Sequence, residues 1–397
     1  MRYNWETRPL GELVKFSSGG TPSKKNPEYW NGNIPWISAK TMKDERLSTS
    51  DLMISAEGLA AGSKLAPVGS LLLLTRGSGL FNGIPLCIVE KPVAFNQDVK
   101  CIESCADVSN KFIFYWLKSQ EEYLKAKLEV TGIGAGKFDT KFLQELNVPI
   151  PCKEDRDKIV SIAESISKKI IINTKINDNL QQQAYAYYLR LFVENGDPSW
   201  RVGTIADLGA VVGGGTPSKA KPEYYTEDGI AWITPKDLSI DKSKFIAHGE
   251  NDISELGYRN SSATIMPVGT VLFSSRAPIG YIAIASNEVT TNQGFKSVVP
   301  HSQIGTPFVY YFLLHNLPLI ESKASGSTFK EVSGSVMKSV EALIPDSDTI
   351  AKFNDFCRPV FAMQEKLEQE NRKLAAMRDS LLPRLMSGEI DVADVDA

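Results

Sequence analysis

Several things are scarce in this chain of 397 residues. Its five cysteines (Cys87, Cys101, Cys105, Cys152 and Cys357) are scattered and show no CxxC spacing. An odd, dispersed set fits reduced thiols in a cytoplasm and not a disulfide framework. The three histidines, His248, His301 and His315, do not cluster with them, which leaves no sequence sign of a zinc site or any other metal. The apolar runs, Leu71 to Leu74 among them, are far short of the roughly 20 residues that cross a bilayer. Met1-Arg2-Tyr3-Asn4-Trp5-Glu6 does not read as a signal peptide. Positive charge is not in excess either, since the net charge is -3. Free-standing DNA binders are usually basic, so tight DNA binding is not expected of the chain alone, only inside a complex whose partners carry positive charge. What remains is 42% hydrophobic and 23% charged, a soluble globular composition with length enough for two or three domains.

Two long stretches lack glycine and proline together. Lys153 to Glu194 is bracketed by Pro149 and Pro151 on one side and by Gly196 and Pro198 on the other. It predicts one continuous helix on the order of 60 Å long. Ile159, Ile162, Ile166, Ile176, Leu180 and Tyr187 fall on a three–four spacing and make one apolar seam, interrupted by Lys169, Asn173 and Gln183. Val360 to Leu382 is the second stretch. Met363, Leu367, Leu374, Met377 and Leu381 repeat the spacing there, with Glu370 in the seam. Pro359 is expected to kink or shorten the start of this helix. A lone helix of such length cannot bury its own stripe, so the two are expected to pair.

The chain is one unit written twice. Gly19-Gly20-Thr21-Pro22-Ser23-Lys24, Pro27-Glu28-Tyr29, Trp36-Ile37-Ser38 and Lys40 return as Gly214-Gly215-Thr216-Pro217-Ser218-Lys219, Pro222-Glu223-Tyr224, Trp232-Ile233-Thr234 and Lys236. The offset is roughly 195 residues. Further on, Pro67-Val68-Gly69 and Arg76 match Pro267-Val268-Gly269 and Arg276. Asn96-Gln97 and Lys100 match Asn292-Gln293 and Lys296. Each copy then runs into one of the long helices. The division this implies is 1–150 for the first head, 151–196 for the central helix, 197–345 for the second head, and 346–397 for the distal helix and tail. Each head reads as mixed α and β. Ser70 to Thr75 and Thr270 to Ser275 read as buried strands. Phe112 to Leu128 and Pro307 to Ser322 read as helices, and the Gly-Gly-Thr-Pro-Ser-Lys segments as loops whose glycines give open backbone angles. The expected fold is α+β: two duplicated heads joined by a pair of long antiparallel coiled-coil helices, related by a pseudo-two-fold axis. Two heads suit a partner with two half-sites, of which long DNA is one.

Catalytic motifs fail on inspection. Asn26-Pro27-Glu28-Tyr29 resembles an adenine methyltransferase motif but lacks its second proline, and its sister reads Lys221-Pro222-Glu223-Tyr224. Gly132-Ile133-Gly134-Ala135-Gly136-Lys137 follows a helix and continues into Phe138, so it fails as a nucleotide loop. Arg76-Gly77-Ser78-Gly79 is a lone GxG, absent from Arg276-Ala277-Pro278. No Ser/His/Asp set or supported carboxylate pair is present. What the heads share is a polar set suited to DNA. Thr21, Ser23, Lys24, Lys40, Arg76, Asn96, Gln97 and Lys100 stand against Thr216, Ser218, Lys219, Lys236, Arg276, Asn292, Gln293 and Lys296, with Lys137 and Lys330 in the loops beyond. Cations and hydroxyls take phosphates, while Asn, Gln and Arg pair with base edges. The alternative is that Asn96-Gln97 and Arg76 brace loops. If the heads read different half-sites, base readers are expected where the copies differ. Those places are Met42 to Ser48 against Leu238 to Lys244, Gly77 to Asn82 against Ala277 to Ile279, and Ile133 to Lys137 against Ser327 to Glu331.

The tail from Leu374 through Met377-Arg378-Asp379-Ser380-Leu381-Leu382-Pro383-Arg384-Leu385-Met386-Ser387-Gly388-Glu389-Ile390-Asp391-Val392 resembles the C-terminal signature of specificity subunits of type I restriction–modification enzymes. The twin Gly-Gly-Thr-Pro-Ser-Lys loops and Trp-Ile-Ser/Thr segments are similar to their target recognition domains. The resemblance implies two domains, each reading half of a bipartite, asymmetric double-stranded DNA site. It implies a coiled coil that spaces them and docks two methyltransferase subunits, with restriction (motor) subunits joining for cleavage. S-adenosylmethionine, ATP and Mg belong on this reading to those partners; the chain itself holds no cofactor, performs no catalysis and works in the cytoplasm with no membrane. Two other readings are a DNA methyltransferase with intrinsic activity, which requires a cofactor pocket, and a two-headed scaffold that binds only proteins.

Overall fold

The repeat in the sequence is a repeat of strands. The computed structural model describes residues 5–105, 107–132, 134–326 and 330–395. Each half builds a five-stranded sheet in one common order. In the first half the order is Val14–Ser18, Val99–Ser104, Leu71–Leu74, Leu86–Val89, Arg46–Leu47. In the second it is Gly209–Gly213, Lys296–Pro300, Val271–Phe273, Ile282–Ala285, Phe245–Ile246. The central strands are the apolar runs after Pro-Val-Gly. They are covered on both faces, which is why they read as continuous apolar residues instead of alternating ones. A four-stranded sheet accompanies each. Its Ile34–Ile37 strand runs parallel to Val93–Phe95 in the first half, and Ile230–Ile233 runs parallel to Thr290–Thr291 in the second. The ends of each head are tied together, Glu6–Pro9 against Asn147–Ile150 and Arg201–Thr204 against Glu341–Ile344. The helices expected over 112–128 and 307–322 are each broken in two, at Gln120 and at Asn316. Pro318, which has no N–H to donate, sits in the first turn after the second break.

The chain divides into two compact units, Met1–Ile170 with Lys373–Ala397, and Ile171–Arg372. Each unit holds one head and a stretch of each long helix. The first long helix is α-helical over Lys153–Tyr188 and ends in a π turn over Leu189–Glu194. The second runs over Ser347–Met386, 40 residues. It is longer than Val360 to Leu382, and Pro359 does not interrupt it. That proline frees only the carbonyl of Asp355 four residues back. Both residues are exposed, so the freed carbonyl lies at the surface.

Within each unit the two helices run antiparallel. In the second unit Asn173 meets Glu370 and Asn371 at 2.9 and 3.0 Å, Asn177 meets Glu368 at 3.0 Å, and Tyr187 packs at a tilt on Phe356 with ring centroids 4.7 Å apart. In the first unit Ile159, Ile162 and Ala163 share one core with Leu382, Leu385 and Met386, with Ile166 and Leu381 at its edge. The seam differs from the sequence expectation. Ile159, Ile162 and Leu367 are buried, and Leu180, Leu374 and Tyr187 are half-buried. Ile176, Met363 and Met377, however, are 43%, 47% and 55% exposed. Asn173 and Gln364 are only 1% exposed and occupy the interior instead. A step of one residue turns about 100° around a helix, so placing Asn177 toward Glu368 turns Ile176 outward. Amides hold these places because each finds a partner across the seam.

Candidate nucleic-acid interface

The twin loops are built by close approach. A Cβ on Gly19 would stand 2.0 Å from the Phe95 carbonyl oxygen, and one on Gly20 2.1 Å from that of Gly62. In the second head Gly214 and Gly215 are pressed in the same way, against the Asn292 oxygen at 2.1 Å and the Ala263 nitrogen at 2.4 Å. None of the four has a positive φ, so the open-angle expectation is corrected: these glycines are needed for space. The Trp36 indole donates to the Gly20 carbonyl at 3.1 Å, and Trp232 donates to Gly215 at 3.0 Å. Thr21 Oγ1 donates to Gln97 Oε1 at 2.7 Å, and Thr216 donates to Gln293 in the same way. Each Gln thereby keeps its amide N–H groups for other acceptors. Ser23, Lys24, Ser218 and Lys219 stand exposed beyond.

In the second head five of the candidate residues line one cleft of about 400 Å³: Thr216, Lys219, Lys236, Asn292 and Gln293. Its floor includes Trp232, and its wall includes Asp237, Glu250 and Asn251. Lys236 lies in the first turn of the short helix Pro235–Ile240. Asp237 locks that wall. It accepts from the Thr234 N–H and hydroxyl at 2.7 and 2.6 Å and from the Glu250 N–H at 2.8 Å. Neither Asp237 nor Glu250 was singled out from sequence, although Thr234-Pro235-Lys236-Asp237 carries a capping-box spacing that announces the first. Glu250 takes the Lys236 ammonium at 2.6 Å.

The remaining candidates separate. Asn96 is buried and uses its side chain on its own loop, accepting from the Asp98 N–H at 3.1 Å; Asn292 accepts from the Gly294 N–H at 2.9 Å. Both brace the fold. Lys100 donates to Ser18 beside its strand. Arg76 and Lys137 face each other across a strand pair, both exposed. At the same place in the second head Arg276 is bridged to Glu331 at 3.0 Å, and Lys296 reaches the same carboxylate at 3.4 Å. The first head therefore presents two adjacent cations without an ion-pair partner among the described residues, where the second sets Glu331 against Arg276. Lys24, Lys40, Lys137, Lys219 and Lys330 are exposed and make no ion pair with the described residues.

Sequence comparison adds an independent line. The family model described as "Type I restriction modification DNA specificity domain" matches residues 3–182 and again 198–371. The chain belongs to this family. The type I restriction enzyme MjaIX specificity subunit of Methanocaldococcus jannaschii is 42% identical over 151 residues, 38% of this chain and 35% of that protein. The HindI specificity subunit of Haemophilus influenzae is 24% identical over 358 residues, 70% of this chain and 77% of that one. The chain thus spans about a third of the first relative and three quarters of the second. The solved S subunit of a type I restriction–modification system from M. genitalium shares the fold, with a TM-score of 0.53 at 17% identity over 97% of this chain and 96% of that one.

The two specificity domains differ most where base readers were expected, and there the structure assigns part of the difference to another task. Lys244, in the 238–244 segment, is buried in the second unit. Its ammonium donates to Gln364 Oε1 at 2.6 Å and lies 4.2 Å from the Phe361 ring centroid and 4.7 Å from that of Tyr310. Burial pushes its pKa down to about 7. The Glu368 carboxylate accepts from the Lys244 and Phe245 N–H groups, both at 3.0 Å, and burial raises its pKa. In the first domain Glu45 accepts from Lys118 and Arg378 at 3.0 and 3.3 Å, and Arg46 pairs with Glu164 at 3.0 Å. These residues fasten each domain to the long helices of its own unit. In the 77–82 segment Leu80 is buried, whereas Phe81 is exposed. Ile133, Ser327, Thr328 and Phe329 lie outside the described residues.

Proposed function

We propose that this chain is the DNA-specificity subunit of a type I restriction–modification complex. Each specificity domain reads one half of a bipartite, asymmetric site in double-stranded DNA. The observation that carries this reading is the double match of the specificity-domain model, once to each half of the chain. Both halves place the same Gly-Gly-Thr-Pro-Ser-Lys loop against the same tryptophan. On this reading the chain performs no chemistry itself. Methylation is done by two methyltransferase subunits docked on the long helices, and cleavage by restriction (motor) subunits; S-adenosylmethionine, ATP and Mg are held there. Ile172, Ile176 and Met363 are exposed on helix surfaces of the second unit, and Met377 on that of the first, which supports the helices as a docking face. Among the described residues no helix is long and apolar enough to cross a membrane, and the complex is assigned to the cytoplasm with its DNA.

The test is to purify the chain with its methyltransferase subunits, supply S-adenosylmethionine and a random DNA library, and sequence the modified bases. A two-part motif separated by a fixed spacer is expected. The chain alone is expected neither to bind S-adenosylmethionine nor to methylate. Methylation without a motif, or activity of the isolated chain, would remove the reading.

A further inference from the structure

The acidic residue in the cleft of the second domain is out of character for a surface that meets phosphates. Glu250 is 59% exposed at its side chain, Lys236 62%, and their charged atoms are 2.6 Å apart. A lysine committed to a carboxylate contributes little to phosphate neutralisation, and a carboxylate beside a phosphate is repelled. The same carboxylate position recurs in the first domain. Ile230 pairs with Ile253 in the second domain and Ile34 with Ile54 in the first. Three residues before each partner stand Glu250 and Asp51. Asp51 is also paired with a lysine, Lys43, at 3.4 Å. Lys40, the sequence counterpart of Lys236, is left without an ion-pair partner among the described residues. The acid is kept and its lysine is exchanged, as expected of a reading element that differs between two half-sites.

We propose, on the footing of the DNA-specificity function above, that the Lys236–Glu250 pair reads one C·G base pair in the major groove of the half-site bound by the second domain. The chemistry is complementary. Cytosine offers a free N4–H in the major groove, and its paired guanine offers O6 and N7 as acceptors. N4 and O6 are hydrogen-bonded to each other, so they lie about 2.9 Å apart. An ammonium and a carboxylate 2.6 Å apart present a donor and an acceptor at nearly the same separation, in the opposite sense. Glu250 accepts from N4–H while Lys236 donates to O6 or N7. A T·A pair, with thymine in the cytosine's place, reverses this: the acceptor O4 stands where N4–H stood, and a methyl group stands where cytosine has only a hydrogen. An A·T pair keeps the donor–acceptor order but puts the thymine methyl where guanine offers N7. The pair is also held ready. The Glu250 backbone is fixed to buried Asp237 at 2.8 Å, and Lys236 lies in the turn that the same Asp237 caps. Gln293 and Thr216 line the same cleft.

The experiment uses the full chain assembled with its methyltransferase subunits and a double-stranded library randomised across both half-sites. Modified products are sequenced for the wild type, Glu250→Gln and Lys236→Ala. The wild type is expected to show a fixed C·G pair in the half-site that follows the second domain. Both variants are expected to relax that single position by roughly ten- to a hundredfold, the size of one good base contact. Glutamine should favour adenine there, since it pairs bidentately with N6 and N7. Every position of the other half-site should stay as it was. A wild type with a two-part motif but a Glu250→Gln motif of unchanged strictness would overturn the inference and leave the specificity function standing. So would methylation raised or lowered equally for all sequences, which would make Glu250 a mere surface charge. A wild type without any motif would instead sink the functional reading on which the pair depends.

Discussion

Lys244 shows how a single side chain can tie a domain down at the expense of its own charge. Three aromatic rings surround its ammonium. Cation–π attraction is worth about 1–2 kcal/mol when desolvated. Removal from water outweighs it, and the pKa falls to about 7 from an ordinary value of about 10.4. Between about pH 7 and about pH 10 the unfolded chain therefore holds a proton that the folded chain has released, so stability rises with pH through that window. Below about 7 both states are protonated and the dependence ends. Lys244→Met keeps the volume and removes the charge. It also removes the donor to the buried Gln364 Oε1, so the thermal midpoint of the second unit at pH 7 is expected to fall by a few degrees, through about 1–3 kcal/mol of unpaired acceptor. The substitution should also flatten the rise between pH 7 and 10. Calorimetry across that range checks both; an unaltered slope would place the titration elsewhere. The exposed lysines behave in the opposite way. Lys24→Ala or Lys219→Ala is expected to weaken DNA binding of the assembled complex equally for all sequences, and to lower the salt slope by about 0.9 for each phosphate left unneutralised. A change of preference at one base pair would make that lysine a reader.

At the scale of elements, each long helix owes its register to polar contacts as much as to its apolar stripe. Asn173 and Asn177 in the second unit reach Glu370, Asn371 and Glu368, and buried amides of this kind fix which residues face each other. In the first unit the corresponding fastening joins head to helix. Glu164, on the first long helix, takes Arg46 at 3.0 Å and Lys111 at 2.9 Å. Burial would raise this carboxyl, but hydrogen bonds from Lys111 and Arg46 outweigh it and hold the pKa below the ordinary value. Its contribution is present above the usual carboxylate range and is lost as pH falls through the lowered folded value. Glu164→Ala leaves Arg46 half-buried without that partner. The expected loss is about 2 kcal/mol, allowing for the exposure of Lys111. Amide exchange in the Arg46–Leu47 strand should quicken with it. Exchange unchanged from the wild type would show that the strand is held by its sheet alone.

At the scale of the whole chain, two domains with the same sheet order carry different surfaces. The first presents Arg76 and Lys137 as neighbours with no ion-pair partner among the described residues; the second neutralises Arg276 with Glu331. Each domain has its own core, so each is expected to keep its specificity when the other is replaced. Exchanging residues 1–150 for the matching domain of another family member should change one half of the methylated motif and leave the other half intact. Sequencing of modified DNA reads this directly, and a change in both halves would refute the independence of the domains.

The sequence alone determined the duplication, because both copies must meet the same local demands. Gly19-Gly20 and Gly214-Gly215 allow a backbone approach that no side chain permits, and Trp36 and Trp232 need the same carbonyl partner. Requirements of that kind are written in residue types at fixed spacing and can be read directly. The strands at Leu71–Leu74 and Val271–Phe273 and the long helices were legible for the same reason. Only the tertiary structure decided which polar residues are available to a ligand. Asn96 and Gln97 are adjacent in sequence, yet one is buried in its own turn and the other is exposed. Lys244 and Lys236 are both lysines of the second domain and lie close in the chain, yet one is buried and the other lines the cleft. Periodicity also placed Ile176, Met363 and Met377 in a seam that Asn173 and Gln364 fill. Hydrophobicity gives the face a residue prefers, but a buried amide with a partner across the interface overrides it, and that partner is distant in the chain.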